Sequence, residues 1–244
     1  MKTNLSGKVI LITGADMGIG RSLVHEMAAR GAKVAAGLFS MINRKHLPED
    51  ALALPMDVTN EEQISKAVRK ILKTHGRIDA LVNNAGIDPR TPPLEISGSA
   101  WRNVLDVNLD GAWRCCQAVM EPMIAQKHGA IINVGSIAHQ AALANLAHYH
   151  TAKAGLEGLT RGLARDLGVH GIRVNCLRIG AVQVPKESDL GTPEEILELV
   201  NARQCIPGRL TPESIAPVFA FFASEDSADI TGQCITVDRG WTFG

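Results

Sequence analysis

The sequence predicts an α/β fold: a doubly wound parallel sheet of about seven strands with helices on both faces. Three observations predict it. Short apolar runs of strand length alternate along the chain with segments whose apolar residues recur at helical spacing. A glycine-rich turn falls between the first such strand and the first helix. No repeat, low-complexity tract or linker divides the 244 residues, so 1–244 reads as one domain. Strands joined by helical crossovers run parallel, and the right-handed crossover rule winds such a sheet outward in both directions.

Each element follows in order. KVILIT (8–13) is a strand buried on both faces. RSLVHEMAAR (21–30) is helical and stops at Gly31, a residue suited to a C-terminal cap. AKVAAGL (32–38) and ALALPM (51–56) are the second and third strands. Thr59 or Asn60 caps a helix on which Ile64, Val68, Ile71 and Leu72 recur at helical spacing. RIDALVNN (77–84) is the fourth strand, and a long helical region follows Ser97. GAIINVGS (129–136) is the fifth, followed by a long helix containing Tyr149 and Lys153. GIRVNCLRI (171–179) and QCITVD (233–238) complete the set. The stretch 185–210 is the least regular, with Gly, Pro and acidic residues around one short helical pattern. At the carboxyl ends of the strands it is a candidate substrate lid.

Apolar residues make up 45% of the chain, charged residues 20%, and the net charge is 0. That composition is globular and offers no basic field for nucleic acid or an anionic membrane. Five cysteines, two of them adjacent at 115 and 116, lack metal-ligand spacing and are expected as reduced thiols. The N-terminal apolar run is too short for a signal peptide or a membrane span, so the expected location is cytoplasmic.

TGADMGIG (13–20) occupies the strand–turn–helix junction. A tight turn and close backbone approach to a pyrophosphate both need residues without side chains. A helix N-terminus then presents free N–H groups and a positive dipole end to the anion. Gly14, Asp16, Met17, Gly18, Ile19 and Gly20 are therefore candidate dinucleotide contacts, and the sheet reads as Rossmann-type.

HYHTAK (148–153) holds the only tyrosine of the chain. On a helix, Tyr149 and Lys153 lie one turn apart on one face. A phenol titrates near 10, and a nearby ammonium is expected to lower that value toward the working pH of a general acid–base group. Ser136, at the end of the fifth strand, can stabilise charge developing on the same substrate oxygen. His148 and His150 flank Tyr149 at about 100° on either side, which suits packing or the pocket edge. Two histidines so spaced do not share one metal, and no metal is expected.

The glycine turn, NNAG (83–86), a serine after the fifth strand and Y-x-x-x-K occur here in one order. With DVT (57–59), Asn108 in DVNLDG and TGQCITVDRG near the end, they resemble the short-chain dehydrogenase/reductase family from about Gly7 onward. The resemblance implies hydride transfer between a nicotinamide cofactor and a small secondary alcohol or ketone. It implies Tyr149 as general acid/base, assisted by Lys153, Ser136 and Asn108, with Asn108 anchoring a water relay to the lysine, which also holds the nicotinamide ribose. Asp57 and Val58 would meet the adenine, and Asn83, Asn84, Ala85 and Gly86 the inner ribose side. Leu38 would stand at the adenosine ribose, and Gly180 to Val182 would hold the carboxamide. The family forms tetramers or dimers, so a homotetramer or homodimer is expected through helices near 98–127 and 147–168. A 3-oxoacyl-carrier-protein reductase and a non-catalytic dinucleotide-sensing protein are the alternatives.

Two departures bear on the cofactor. The second strand ends in Leu38, Phe39 and Ser40, with neither the acidic residue typical of NAD selection nor a basic one typical of NADP. Asp16 favours NAD, Arg44 and Lys45 favour NADP, and the reading leans to NAD. After the sixth strand, Ile179 and Val184 replace the family's usual proline and threonine. Pocket candidates are Ile87, Asp88, Arg90, His139, Gln140, Leu146 and the segment 185–208.

Overall fold

In the computed structural model, which describes residues 3–184 and 191–243, the glycine turn joins β1 (Val9–Ile12) to α1 (Gly18–Ala29). β2 (Lys33–Leu38) and β3 (Leu52–Pro55) follow, then α2 (Glu61–His75) and β4 (Ala80–Asn83). α3 (Gly98–Leu105) runs through one π-helical turn (Asp106–Asp110) into α4 (Gly111–Gln126). β5 (Gly129–Ser136), α5 (Ala147–Leu167) and β6 (Ile172–Ile179) come next. α6 (Pro193–Asn201), α7 (Pro212–Ala223) and β7 (Cys234–Val237) complete the described elements.

The strands form one sheet in the order β3-β2-β1-β4-β5-β6-β7, and every neighbouring pair is parallel. The order turns back on itself between β1 and β4. Ligands bind doubly wound sheets in the crevice at that point, beyond the carboxyl ends of the strands.

The apolar run of β1 is explained by its burial on both faces. Ile10 and Ile12 pack with Leu23 and Met27 of α1 and Phe219 of α7. Val9 and Leu11 point the other way, among Ile64 and Ile71 of α2 and Val119 and Met123 of α4. Asn60 supplies the cap of α2, its side chain accepting from Gln63 N, and Gly76 ends that helix in the left-handed conformation. Gly31 follows α1 at φ 91°, as its place after the helix predicts.

Within the proposed lid segment, α6 begins with a capping box between Thr192 and Glu195. Residues 185–190 of that segment lie outside the described residues. Among the described residues, no helix is long and apolar enough to cross a membrane.

Candidate active site and cofactor cleft

The glycine turn is packed against the NNAG segment. Thr13 Oγ1 accepts hydrogen bonds from Asn84 N and Ala85 N, each at 3.0 Å. Asn84 Nδ2 returns bonds to Thr13 O and Gly14 O at 3.0 and 2.9 Å. A Cβ on Gly14 would stand 2.7 Å from Ala85 Cα, and one on Gly20 would stand 2.2 Å from Gly14 O. Those two glycines are required by the turn's own packing. Gly18 has φ 51°, and among the described residues a Cβ there would meet Val184 Cγ1 alone, at 3.6 Å. Met17 occupies the N-cap of α1 and makes no side-chain cap bond, while Ile19 packs against the core. Among the described residues the first N–H groups of α1 thus have no side-chain acceptor, which is the donor set a pyrophosphate requires. A bare turn of small residues and an uncapped helix end fit a dinucleotide.

Asp16 is nearly buried, and its carboxylate holds the start of the loop after β2. It accepts from Phe39 N and Ser40 N at 2.8 Å each and from Asn43 Nδ2 at 3.4 Å. A negative charge therefore sits at the carboxyl end of β2, delivered from the glycine turn. Two expectations need correction here. Leu38 is fully buried and its side chain belongs to the core; the exposed neighbour is Phe39, at 78%. Arg44 is not free to swing toward a phosphate: its guanidinium donates to Leu47 O, Pro48 O and Glu49 O at 3.4, 3.1 and 2.7 Å.

Asp57 Oδ1 accepts from Thr59 N and Thr59 Oγ1 at 2.9 and 2.8 Å, which sets the turn before α2. Val58 is buried against Gly111, so only its backbone is placed to meet a ligand. Asn83 does not line the cleft. It is buried, donating to Asn133 Oδ1 at 2.9 Å, and Asn133 continues to Thr160 Oγ1 at 2.9 Å. Strand alternation separates Asn83 in the interior from Asn84 at the glycine turn.

Asn108, Ser136, Tyr149 and Lys153 come from three elements and meet at the carboxyl end of β5. The π-helical turn swings Asn108 inward, where Nδ2 donates to Ile87 O and Val104 O at 2.8 and 2.9 Å. Its Oδ1 accepts from Ile87 N at 3.2 Å. A Cβ on Gly86 would lie 2.7 Å from Asn108 Oδ1 and 3.7 Å from Lys153 Nζ, so both side chains converge on that glycine. Lys153 is 4% exposed and donates to Val134 O at 2.7 Å. Its Nζ lies 5.6 Å from the Tyr149 ring centroid. The Ser136 hydroxyl accepts from Ala138 N at 3.1 Å and lies near enough to the Tyr149 phenol to lower its titration.

The electrostatics depart from the expectation that Lys153 lowers the phenol. In the chain by itself burial wins and pushes Tyr149 up to about 12. The hydrogen bond with Ser136 opposes that rise, Asp88 adds to it, and Arg90 opposes it. Burial also pulls Lys153 down to about 8, against the opposing charges of Cys176 and Asp88.

The remaining candidates divide between packing and cleft. Gly180 N donates to Val237 O and Val182 N to Gly180 O, both at 3.0 Å. These two donors are spent within the fold, so a carboxamide would meet other backbone groups of that segment. Gly180 itself lies tight against β7's end, since a Cβ there would be 2.7 Å from Asp238 Cβ. Leu146 and His148 are buried, and His148 Nδ1 accepts from Tyr149 N at 2.9 Å. Asp88 and Arg90 are exposed near the phenol. Sequence reasoning missed Thr13 as the acceptor that locks the turn, and Phe39 as the exposed face beside Asp16. It also missed Glu157, whose only sequence signal is its place one turn beyond Lys153.

The profile of a family described as Enoyl-(Acyl carrier protein) reductase matches residues 14–242. The chain is 37% identical to D-xylose 1-dehydrogenase of Caulobacter vibrioides over 245 residues, covering 98% of this chain and 97% of that protein. It is 38% identical to a 3-oxoacyl-[acyl-carrier-protein] reductase of Thermotoga maritima over 245 residues, with 97% and 98% covered. A solved structure of a candidate gluconate dehydrogenase from Agrobacterium tumefaciens superposes with TM-score 0.93 at 30% identity, over 99% of this chain and 98% of that one. With this sheet order and these full-length relatives, the chain belongs to the short-chain dehydrogenase/reductase family and is an NAD(P)-dependent oxidoreductase acting on CH–OH groups.

Proposed function

We propose that this enzyme interconverts a secondary alcohol and its ketone, with NAD favoured over NADP and Tyr149 carrying the proton. The observation that supports it is the convergence of Tyr149, Ser136, Lys153 and Asn108 at one strand end, beside a turn shaped for a pyrophosphate. A substrate oxygen seated at the phenol meets the Ser136 hydroxyl as well, so two donors face the charge that develops there. Bound cofactor supplies or takes the hydride and, when oxidised, brings positive charge to the cleft. Burial keeps the phenol protonated at neutral pH, which suits donation to a carbonyl. Lys153, pulled down to about 8, remains mostly charged there and favours the phenolate once the proton has left. Asn108 holds the backbone at Ile87 beside the lysine and offers the place for a water to join it.

The choice of NAD rests on Asp16. Its carboxylate stands at the carboxyl end of β2, where its charge would oppose a 2′-phosphate, and Arg44 is committed to loop carbonyls. We read 1–244 as one catalytic domain in the cytoplasm, with 185–210 as its substrate lid. Exposed Trp101 and Trp113, on α3 and α4, support a homodimer or homotetramer through that face.

A second reading, a 3-oxoacyl-carrier-protein reductase, is favoured by the Thermotoga maritima relative. NADH and NADPH titrations, followed by a panel of sugars, hydroxy acids, simple alcohols and 3-oxoacyl thioesters, separate the two. The decisive variant is Tyr149→Phe. Loss of about 10²- to 10⁴-fold in both directions is expected, with NADH binding retained. Unimpaired turnover would overturn the assignment of Tyr149. Intact binding without turnover of any compound in the panel would favour a sensing protein.

A further inference from the structure

Glu157 lies on α5 one turn beyond Lys153 and is buried, an uncommon place for a carboxylate. Its Oε1 and Oε2 accept from Arg178 Nε and Nη2 at 2.5 and 2.6 Å, with the two side chains 7% and 10% exposed. The same Oε1 lies 3.1 Å from His139 Nε2. Arg161 adds a longer contact to Oε2 at 3.4 Å, from the exposed side. Three elements therefore meet on one carboxylate: β6 through Arg178, α5 through Glu157, and the turn after β5 through His139.

That turn, Ile137–His139, begins at the residue after Ser136. Lys153 already ties α5 to Val134 O, two residues before Ser136. His139 ties α5 to the chain three residues after it. Ser136 is thus bracketed by a hydrogen bond on one side and a 3.1 Å contact on the other, both to the helix that carries Tyr149. Stability is a weak reason for such a cluster, because buried ion pairs rarely outperform apolar residues of the same volume. His139 also depends on Glu157 for its orientation. Among the described residues its buried Nδ1 has no partner, so the contact of Nε2 with Glu157 is the one that orients the ring.

We propose that Arg178, Glu157 and His139 are positioning residues, a brace that holds the Ser136 turn against α5 and so sets the Ser136 hydroxyl on the Tyr149 phenol. The brace rests on the proposed role of the Ser136–Tyr149 pair. Small displacements of reacting groups are costly in rate, up to about 10²-fold for 1 Å. Loss of the brace should therefore appear in kcat and leave the cofactor cleft intact.

The test uses four variants, each assayed for kcat, substrate KM, NADH affinity by fluorescence, and Tm. Glu157→Leu with Arg178→Met replaces the ion pair by apolar groups, a change that buried pairs often survive. His139→Phe removes only the tie to the turn, whereas His139→Gln keeps an amide donor for Glu157. The double variant and His139→Phe are expected to lose about tenfold or more in kcat with NADH affinity within about twofold, and His139→Gln to recover most of the loss. Wild-type kcat in both His139→Phe and the double variant would overturn the brace. So would equal losses of kcat and NADH binding, or a glutamine variant as slow as the phenylalanine one. If the double variant does not fold, the two His139 variants decide, since they leave the ion pair in place. Tyr149→Phe is run beside them. Turnover by that variant defeats the underlying reading, whereas its inactivity beside unimpaired brace variants defeats the brace alone.

Discussion

Replacing Lys153 by methionine is expected to remove a gain in stability of about 2 kcal/mol that the cofactor-free wild type makes between about pH 7 and about pH 9.5. Burial pulls the lysine from 10.5 to about 8 in the folded chain. Between those two values the unfolded chain binds the extra proton, so stability rises with pH there. The cost of burying the charge is fully present below about 8 and amounts to about 3 kcal/mol at 1.36 kcal/mol per unit. About three-fifths of it is relieved by about pH 9.5. Other groups oppose this trend. Burial pushes the thiols of Cys115 and Cys116 upward, the latter to about 12, and Tyr149 likewise to about 12. An acid whose folded value is raised loses stability as pH rises through its unfolded value, near 9 for the thiols and 10 for the phenol. The readout is therefore the difference between wild type and Lys153→Met, in which those shared contributions cancel. Methionine also abandons the bond to Val134 O, a loss independent of pH. Urea unfolding followed by the fluorescence of the three tryptophans, at a series of pH values, measures the difference. A flat difference across the window would mean that Lys153 is solvated in the folded chain, and the burial argument would fail.

Gly20→Ala would bring a Cβ to 2.2 Å from Gly14 O; a loss of about 2 kcal/mol in urea unfolding and at least about tenfold in NADH affinity is expected, and a wild-type binder would refute the packing argument. Asp16→Asn removes the charge at the end of β2; competitive titration should show relative affinity moving toward NADPH by about tenfold, and an unchanged ratio would remove Asp16 from cofactor choice. Asn108→Ala leaves Ile87 N–H, Ile87 O and Val104 O without their partner; urea unfolding should register about 1–3 kcal/mol, with kcat reduced as well.

How much was legible in the sequence varies with the distance over which the physics acts. The strand, turn and helix around Gly14, Gly18 and Gly20 were readable because their cause is local: a tight turn and an open helix N-terminus need small residues at fixed offsets. The same holds for Tyr149 and Lys153, one helical turn apart. Boundaries a single residue wide were less secure. Leu38 and Phe39, or Asn83 and Asn84, exchange interior for cleft by strand alternation, and adjacent residues of one apolar or polar run look alike. Arg44 read as favouring NADP because nothing in a loop sequence shows that its guanidinium will close on three carbonyls of its own loop.

The sequence by itself determined the α/β alternation, the glycine turn between β1 and α1, and the one-turn spacing of Tyr149 and Lys153, because each is set by periodicity or spacing within a few residues. Only the tertiary structure decided that Asp16 would stand at the end of β2 and that burial would raise the phenol while lowering the lysine. It alone joined Arg178 and His139 on Glu157. Those outcomes depend on which distant groups are brought together out of water. Desolvation and hydrogen bonding between segments far apart in the chain follow from packing, and leave no periodic trace along it.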